Sequence, residues 1–431
     1  MNKQIFLFLL PAILLVAGGC KKQTTSENVP APEVQHIPLP AKYTAQYDCS
    51  VPPARIDVEK AIADSVPVNL SKIASTIQYF LVGDDKYPIT DVVSTGEGFI
   101  ALNQPKLYYY RQGVKRKRVG VKTEYNDWGS KDEQKLYFDK ENKQLSTALK
   151  QINDNGYREY FIAQLPHLDS VLARVHYLYP DSMPVRKTAS LNVKYGIELF
   201  SSKLYAKAVW NRVTRGVQTF NLSGDTLCSF PANLDSLGSI PENFLQTPLF
   251  YTSYWMDQQI TFHTSFCDTI YRITDEKSYK PVYAIHFGKY RLTATSLFKE
   301  DDLKNKAWLM DLKENKDGVF LKVYKEGKTT KSGWLAEDRE PDGPSVERQV
   351  VYLKSSGQTF ALPDRSKGLV NDLDGGITFW PKGQTDGYLY MIRPAKEFKA
   401  AIKLDGSPKQ KELKAFLESI DEKQNVMIVV K

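Results

Sequence analysis

Cysteine and histidine are scarce, at four and five in 431 residues. Beyond Cys20 only Cys49, Cys228 and Cys267 remain, and an odd number of thiols does not build a disulfide framework. A Cys228–Cys267 bridge is disfavoured. If the two lie on equivalent strands of neighbouring repeats, their Cα atoms rarely come within about 7 Å. His36, His167, His176, His263 and His286 are scattered, without the H-x-H or H-E-x-x-H spacing of a zinc site. There is no G-x-S-x-G and no Walker loop. Ser296 to Lys299 matches S-x-x-K, but no S-D-N follows and the surroundings are strand-like. "NDLDGG", Asn371 to Gly376, gathers oxygen ligands yet lacks the EF-hand register and the distal Glu, so it reads as a turn. No metal, cofactor or catalytic residue is assigned on these grounds.

Long apolar runs are also missing, with one exception. Lys3 opens a short positive region, Ile5 to Val16 is apolar apart from Pro11, and Ala17, Gly18 and Gly19 precede Cys20. The run falls short of the roughly 20 residues of a spanning helix, so it reads as a signal peptide. Its small-small-Cys ending resembles the lipobox of bacterial lipoproteins. That resemblance implies removal of residues 1–19 and lipidation of Cys20, the attachment to a membrane. Lys21, Lys22 and Gln23 follow, with no Asp at the second position, a pattern similar to lipoproteins sorted to the outer membrane. An acidic cluster after the Cys, as in surface-exported lipoproteins of the Bacteroides group, is absent, which favours the periplasmic face over the cell surface. Residues 20–56 hold Pro30, Pro32, Pro38, Pro40, Pro52 and Pro53 and read as a lipidated Cys followed by a flexible linker.

What is abundant is aromatic: 25 Tyr and 20 Phe, among frequent β-branched residues, which favours strands. The net charge of +8 is moderate. Its densest run, Lys115 to Arg118, reads as the solvated strand of a hairpin, and nucleic acid is not expected as a partner. Tight turns punctuate the chain at Gln112-Gly113, Glu141-Asn142, Ser223-Gly224, Glu326-Gly327 and Ser356-Gly357, with a longer loop at Asp275 to Ser278. Equivalent strands align near residues 107, 157, 217, 268, 323 and 389, a spacing of about 55, near the kelch-like end of propeller repeats. The expectation is an all-β chain, a six-bladed β-propeller over residues 57–400; two β-sandwiches or a solenoid are the alternatives. Asp225 in "GDTLCSF" and Asp268 in "CDTIYRI" then read as the same turn in successive blades, not as a catalytic pair.

Several stretches carry a resemblance: "PVNLSKIASTIQYFLVGDD", "GVKTEYNDW", "GDTLCSF", "CDTIYRI" and "YAIHFGKYRL". Their order and spacing resemble the six-bladed, NHL-like β-propeller lipoproteins of the Bacteroides group. The likeness covers nearly the whole mature chain and implies a propeller of unknown function.

The tail, residues 401–431, reads as a short helix and a strand docked on the propeller. Ser407 is the expected cap, Pro408 the first helical residue, and Leu413, Phe416, Leu417 and Ile420 form an apolar stripe ahead of "NVMIVV". Aromatic residues beside polar or turn residues are the binding candidates: Tyr125, Trp128, Trp210 with Arg212, and Trp380. Core packing is the competing reading for each Trp. The expected function is a binding or scaffold module in the cell envelope, with an envelope protein, peptide or glycan as ligand. The alternative is a hydrolase or lyase acting on glycans or peptides at the axial mouth; two acids with His or Arg there would favour it. Cys20→Ala is expected to abolish membrane association without unfolding the protein. Mutant chain that stays in the membrane pellet through a high-salt wash would refute the anchor.

Overall fold

Short alternating segments and tight turns build strands that pair with their nearest neighbours in the chain. A computed structural model describes residues 41–84, 89–103, 106–112, 114–119, 136–139, 144–152, 158–165, 185–187, 197–199, 205–210, 215–220, 226–231, 251–257, 259–264, 267–292, 306–325, 346–363 and 367–431. The chain enters through β1 (Gln46–Tyr47), β2 (Ala54–Asp57), helix α1 (Val58–Ala63) and β3 (Ile77–Asp84). A first antiparallel sheet follows: β4 (Ile89–Ser94), β5 (Phe99–Asn103), β6 (Lys106–Arg111) and β7 (Val114–Val119). The second is β8 (Leu136–Asp139), β9 (Gln144–Ile152), β10 (Arg158–Leu165) and β11 (Val185–Lys187). The third is β12 (Ile197–Leu199), β13 (Tyr205–Trp210), β14 (Arg215–Phe220) and β15 (Thr226–Pro231). The fourth is β16 (Tyr251–Met256), β17 (Gln259–Thr264), β18 (Thr269–Ile273) and β19 (Ser278–His286). The fifth is β20 (Ala307–Glu314), β21 (Gly318–Lys325), β22 (Val346–Leu353) and β23 (Gln358–Ala361). The last holds β24 (Gly383–Thr385), β25 (Tyr388–Pro394) and, after helices α2 (Ala395–Ala401) and α3 (Lys411–Glu418), β26 (Gln424–Val430).

The first five sheets are meanders, the sixth takes β3 as its outer strand, and five of the first strands adjoin: β4 touches β8 and β24, and β20 touches β16 and β24. The arrangement is propeller-like. Its core is a series of wedges between consecutive sheets. Val217 and Phe230 of the third sheet meet Phe262 and Tyr271 of the fourth. Ile270 and Tyr283 meet Leu309 and Val350 of the fifth. Phe320 and Val351 meet Leu389 and Ile428 of the sixth, and Phe80 and Met427 of the sixth meet Val92 and Phe99 of the first. Cys228 and Cys267 both lie in the wedge between the third and fourth sheets, as free thiols.

The repeat register differs from the expected one. Positions 107, 157, 217 and 268 fall in or beside third strands, whereas 323 and 389 fall in second strands. Thr226 to Phe230 of "GDTLCSF" lie in β15, the fourth strand of its sheet, but Thr269 to Ile273 of "CDTIYRI" form β18, the third. The two Asp-Thr pairs are therefore not equivalent. Asp225 lies outside the described residues. Asp268 pairs with Arg291, Oδ2 to Nε at 2.6 Å. Burial, opposed by the Arg291 charge, raises its carboxyl above the ordinary value.

Residues 41–56, expected as flexible linker, are ordered. Tyr43 bridges to Cys228 on the outer edge of the third sheet, and β1 and β2 both pair in parallel with β19 on the edge of the fourth. The Val66 N–H then bonds to Ala361 O on the fifth sheet, and β3 joins the sixth. The physical reason is edge pairing: each outer strand offers free N–H and C=O groups, and this segment satisfies them in turn. Pro52 and Pro53, which cannot donate, occupy the gap between the two short strands.

β26 pairs with β25 on one side and β3 on the other, so the two ends of the described chain share the sixth sheet. The closing strand expected at the tail is β26, which joins that sheet beside β3. Pro408 opens a single 3-10 turn ahead of α3, but the Ser407 side chain makes no capping bond. Leu413 and Leu417 are buried, with Phe416 and Ile420 packed beside them. Removing residues 407–431 strips this stripe and the closing strand. At roughly 1.5–3 kcal/mol for each large apolar side chain, the loss is comparable to or larger than the roughly 5–15 kcal/mol by which typical domains are stable. The truncated chain is expected to show no cooperative melt; a midpoint equal to that of the full chain would refute the role of the tail.

Candidate functional site

Strand alternation sets the residues that reach the centre. In β8, Leu136 and Phe138 are buried and Tyr137 between them is half-buried. In β16, Tyr254 and Met256 are buried and Trp255 between them is half-buried. Tyr137 and Trp255 stack on each other, with ring centroids 4.6 Å apart and planes 7° from parallel. Their strands open the second and fourth sheets, which the whole third sheet separates in the chain.

Polar bridges connect the other first strands to this stack. Gln384 of β24 donates from Nε2 to Trp255 O at 3.0 Å, and its Oε1 accepts the Glu314 N–H of β20 at 2.6 Å. Thr385 Oγ1 accepts the Ser94 N–H of β4 at 2.8 Å, and Asp91 Oδ2 accepts the Leu136 N–H of β8 at 2.7 Å. First strands of the fourth, fifth, sixth, first and second sheets are thus linked in a circuit that the aromatic stack closes.

Beside it lies the carboxylate of Glu314, fully buried. Oε1 accepts from Tyr283 Oη at 2.6 Å and Lys354 Nζ at 2.6 Å. Oε2 accepts from Tyr254 Oη at 2.6 Å and from the Arg272 guanidinium. Burial works to raise this carboxyl, but the Arg272 and Lys354 charges and the hydrogen bonds outweigh it and hold it below its ordinary value. Burial and the Glu314 charge push the Tyr254 and Tyr283 phenols well up, so both stay donors. All four acceptor positions of the carboxylate are occupied. The cluster ties the fourth and fifth sheets and has no vacancy for a substrate.

Of the binding candidates, Tyr125, Trp128 and Arg212 lie outside the described residues. Trp210 ends β13, opposite Arg215 of β14. Trp380 is only 8% exposed and packs edge-on against Phe320, so its ring belongs to the wedge between the fifth and sixth sheets. Trp210 and Trp380, the two candidates among the described residues, stand in the third sheet and in the wedge between the fifth and sixth. Sequence reasoning missed Tyr137, Trp255, Gln384 and Glu314. The half-buried aromatic between two buried neighbours was a usable signal only once first strands could be told from the others.

His263 is buried, its Nε2 2.7 Å from Cys267 O, and burial pushes the imidazole down to about 4. His286 lies 3.5 Å from Glu59 on the surface. In "NDLDGG" the oxygens serve the fold. Asp374 accepts from Tyr79 Oη at 2.7 Å and Asn371 Nδ2 at 2.8 Å, and Asp372 accepts from the Ser71 hydroxyl at 2.6 Å. Among the described residues no group of three or more His, Cys, Asp or Glu side chains could hold a metal ion. No helix among them is long and apolar enough to cross a membrane.

A family model described as a domain of unknown function, DUF4933, matches residues 38–403. The chain belongs to the DUF4933 family. The match takes in every sheet but stops short of α3 and β26. No curated protein matches the DUF4933 chain. Among solved structures, a soluble aldose sugar dehydrogenase from Escherichia coli, in its apo form, is similar at 8% identity and a TM-score of 0.34, over 83% of this chain and 99% of its own. A thermostable family-43 glycoside hydrolase is similar at 12% identity and a TM-score of 0.30, over 70% of this chain and 97% of its own. Apo AztD from Citrobacter koseri is similar at 9% identity and a TM-score of 0.22, over 67% and 95%.

Glu314→Gln leaves the half-buried Arg272 and Lys354 without their counter-charge in the buried centre of the cluster. Breaking a buried pair in this way costs about 3–5 kcal/mol, the expected loss at pH 7. Because the folded carboxyl sits below its unfolded value, its contribution is complete above about pH 4.3 and fades as pH falls through the folded value. The gap between variant and wild type therefore narrows on acidification below about pH 4. Equal thermal midpoints at pH 7 would overturn this account of the cluster.

Proposed function

We propose that this DUF4933 chain is a lipid-anchored, six-bladed β-propeller that serves as a binding or scaffold module in the cell envelope. The observation that carries the reading is the Tyr137–Trp255 stack, joined to Gln384 where the first strands converge. Half-buried aromatic faces beside an amide make a recognition surface for a peptide or a glycan, because rings supply contact area and the amide supplies direction. Six sheets, five of whose first strands adjoin, support a count of six blades. Anchoring through Cys20, placement at the outer membrane with the periplasmic face preferred, and NHL-like kinship with the Bacteroides group rest on sequence features. Trp210 and Arg212, with Tyr125 and Trp128, are proposed as further contacts.

The alternative, a hydrolase or lyase at the axial mouth, calls for an acid able to exchange protons with a substrate. Two acids belong to the central circuit: the Glu314 oxygens are saturated by two cations and two phenols, and Asp91 accepts the Leu136 N–H. This supports binding over catalysis. The test is a pull-down from envelope extracts with wild type, Tyr137→Ala and Trp255→Ala, followed by titration of the retained ligand. Each substitution is expected to weaken binding by roughly thirtyfold, the about 2 kcal/mol of an aromatic hot spot. A ligand set and affinities identical in all three proteins would refute the axial site, and glycan or peptide cleavage by the purified chain would refute the non-enzymatic reading.

A further inference from the structure

The seam where the sixth sheet meets the first holds a cavity of about 260 Å³. One side comes from β3 and the start of β25. The other comes from the β4–β5 turn and the end of β6. Gln78 of β3 donates from Nε2 to Gln112 Oε1 at 3.0 Å, so two amides meet across the seam. Arg111 and Glu97 face each other at 3.4 Å, both largely exposed. A hydrophobic wall stands behind them: the Phe99 ring lies edge-on to Tyr388, centroids 5.2 Å apart, and to Phe80 at 5.5 Å. The turn itself is fixed by Gly98, where an added Cβ would stand 2.3 Å from Tyr110 O, and by the Gly98 N–H bonded to Thr95 Oγ1 at 3.1 Å.

Three features limit the ligand. One guanidinium and one carboxylate cancel, so the charged lining carries no net charge. Amides, the guanidinium and the carboxylate offer donors and acceptors side by side, as vicinal hydroxyls require. Phe80 and Phe99 are buried behind the lining, and the half-buried Tyr388 is the ring that can meet the C–H face of a sugar. The volume lies just under the roughly 300–1,000 Å³ of pockets for drug-sized ligands, the scale of a single ring. We propose that this pocket binds an uncharged saccharide ring. The proposal is independent of the axial site.

The full chain would be titrated with glucose, galactose, mannose and N-acetylglucosamine while its thermal midpoint is followed. Glucuronate and inorganic phosphate form the anionic arm, because Lys431 lies 4.7 Å over the Tyr388 ring and would attract an anion. At least one neutral sugar is expected to raise the midpoint, as any ligand bound only to the folded state must. Arg111→Ala and Gln112→Ala, both exposed, should each weaken that sugar about tenfold and leave the ligand-free midpoint unchanged. Trp255→Ala should leave its affinity unaltered, which separates this pocket from the axis. Tighter binding of the corresponding trisaccharide would identify a glycan chain as the ligand, and equal binding a free sugar; either supports the proposal. It is overturned if no neutral sugar shifts the midpoint, if only glucuronate or phosphate does, or if the shift persists undiminished in both variants.

Discussion

Everything in the arrangement rests on one pairing, that of β26 with β3. Val430 lies opposite Ile77 and Gln424 opposite Asp84, so a strand from the end of the chain is zipped between β25 and a strand from its beginning. Without it the sixth sheet is a two-stranded remnant, and its wedges against the fifth and first sheets lose Val426, Ile428 and Met427. A ring of sheets has no spare edge at which to absorb that loss. Each wedge needs both neighbours, so opening one seam exposes apolar surface on both sides of it.

Against this non-directional packing the centre is polar and specific. Hydrophobic wedges favour any close approach of two sheets, but the Gln384, Thr385 and Asp91 bridges are satisfied at one register only. The Glu314 cluster has the same character. Its two cations and two phenols come from β16, β18, β19 and the residue after β22, so it forms only when the fourth and fifth sheets meet in one alignment. Such a cluster is weak evidence for stability in itself, since desolvation offsets much of the attraction, but its disruption is expensive.

Much of the fold was legible in the sequence because strand formation is a local matter. The turns at Gln112-Gly113, Glu141-Asn142 and Ser356-Gly357 separate paired strands, and Gly357 takes a φ of +66°, the conformation glycine adopts at least cost. "NVMIVV" is a buried strand, as its unbroken apolar run suggests. The strand position within each sheet was not legible. Second and third strands are both inner members of a sheet with similar apolar runs, so Val323 and Val217 look alike although one lies in β21 and the other in β14. The linker was misread for a related reason: proline content argues against regular structure, but says nothing of the unpaired edges that β1 and β2 find on β19. The site was the least legible part. Tyr137 and Trp255 stand more than a hundred residues apart, and Glu314 is one acid among 50 until Arg272 and Lys354 are placed around it.

The edge-running segment from Tyr43 to Asp84 has a consequence in time. It leaves the ribosome before any strand it pairs with, and β3 precedes β26 by about 340 residues. At roughly 5–20 residues per second, that partner is made about 17–70 s later. During that interval β3 lacks β26, its partner in the sixth sheet, while Phe80 and Val82 can already pack on Val92 and Phe99 of the first sheet. The first part of the domain to be synthesised is the last whose contacts can be completed. A chain with this topology cannot complete its sixth sheet until β26 has been made.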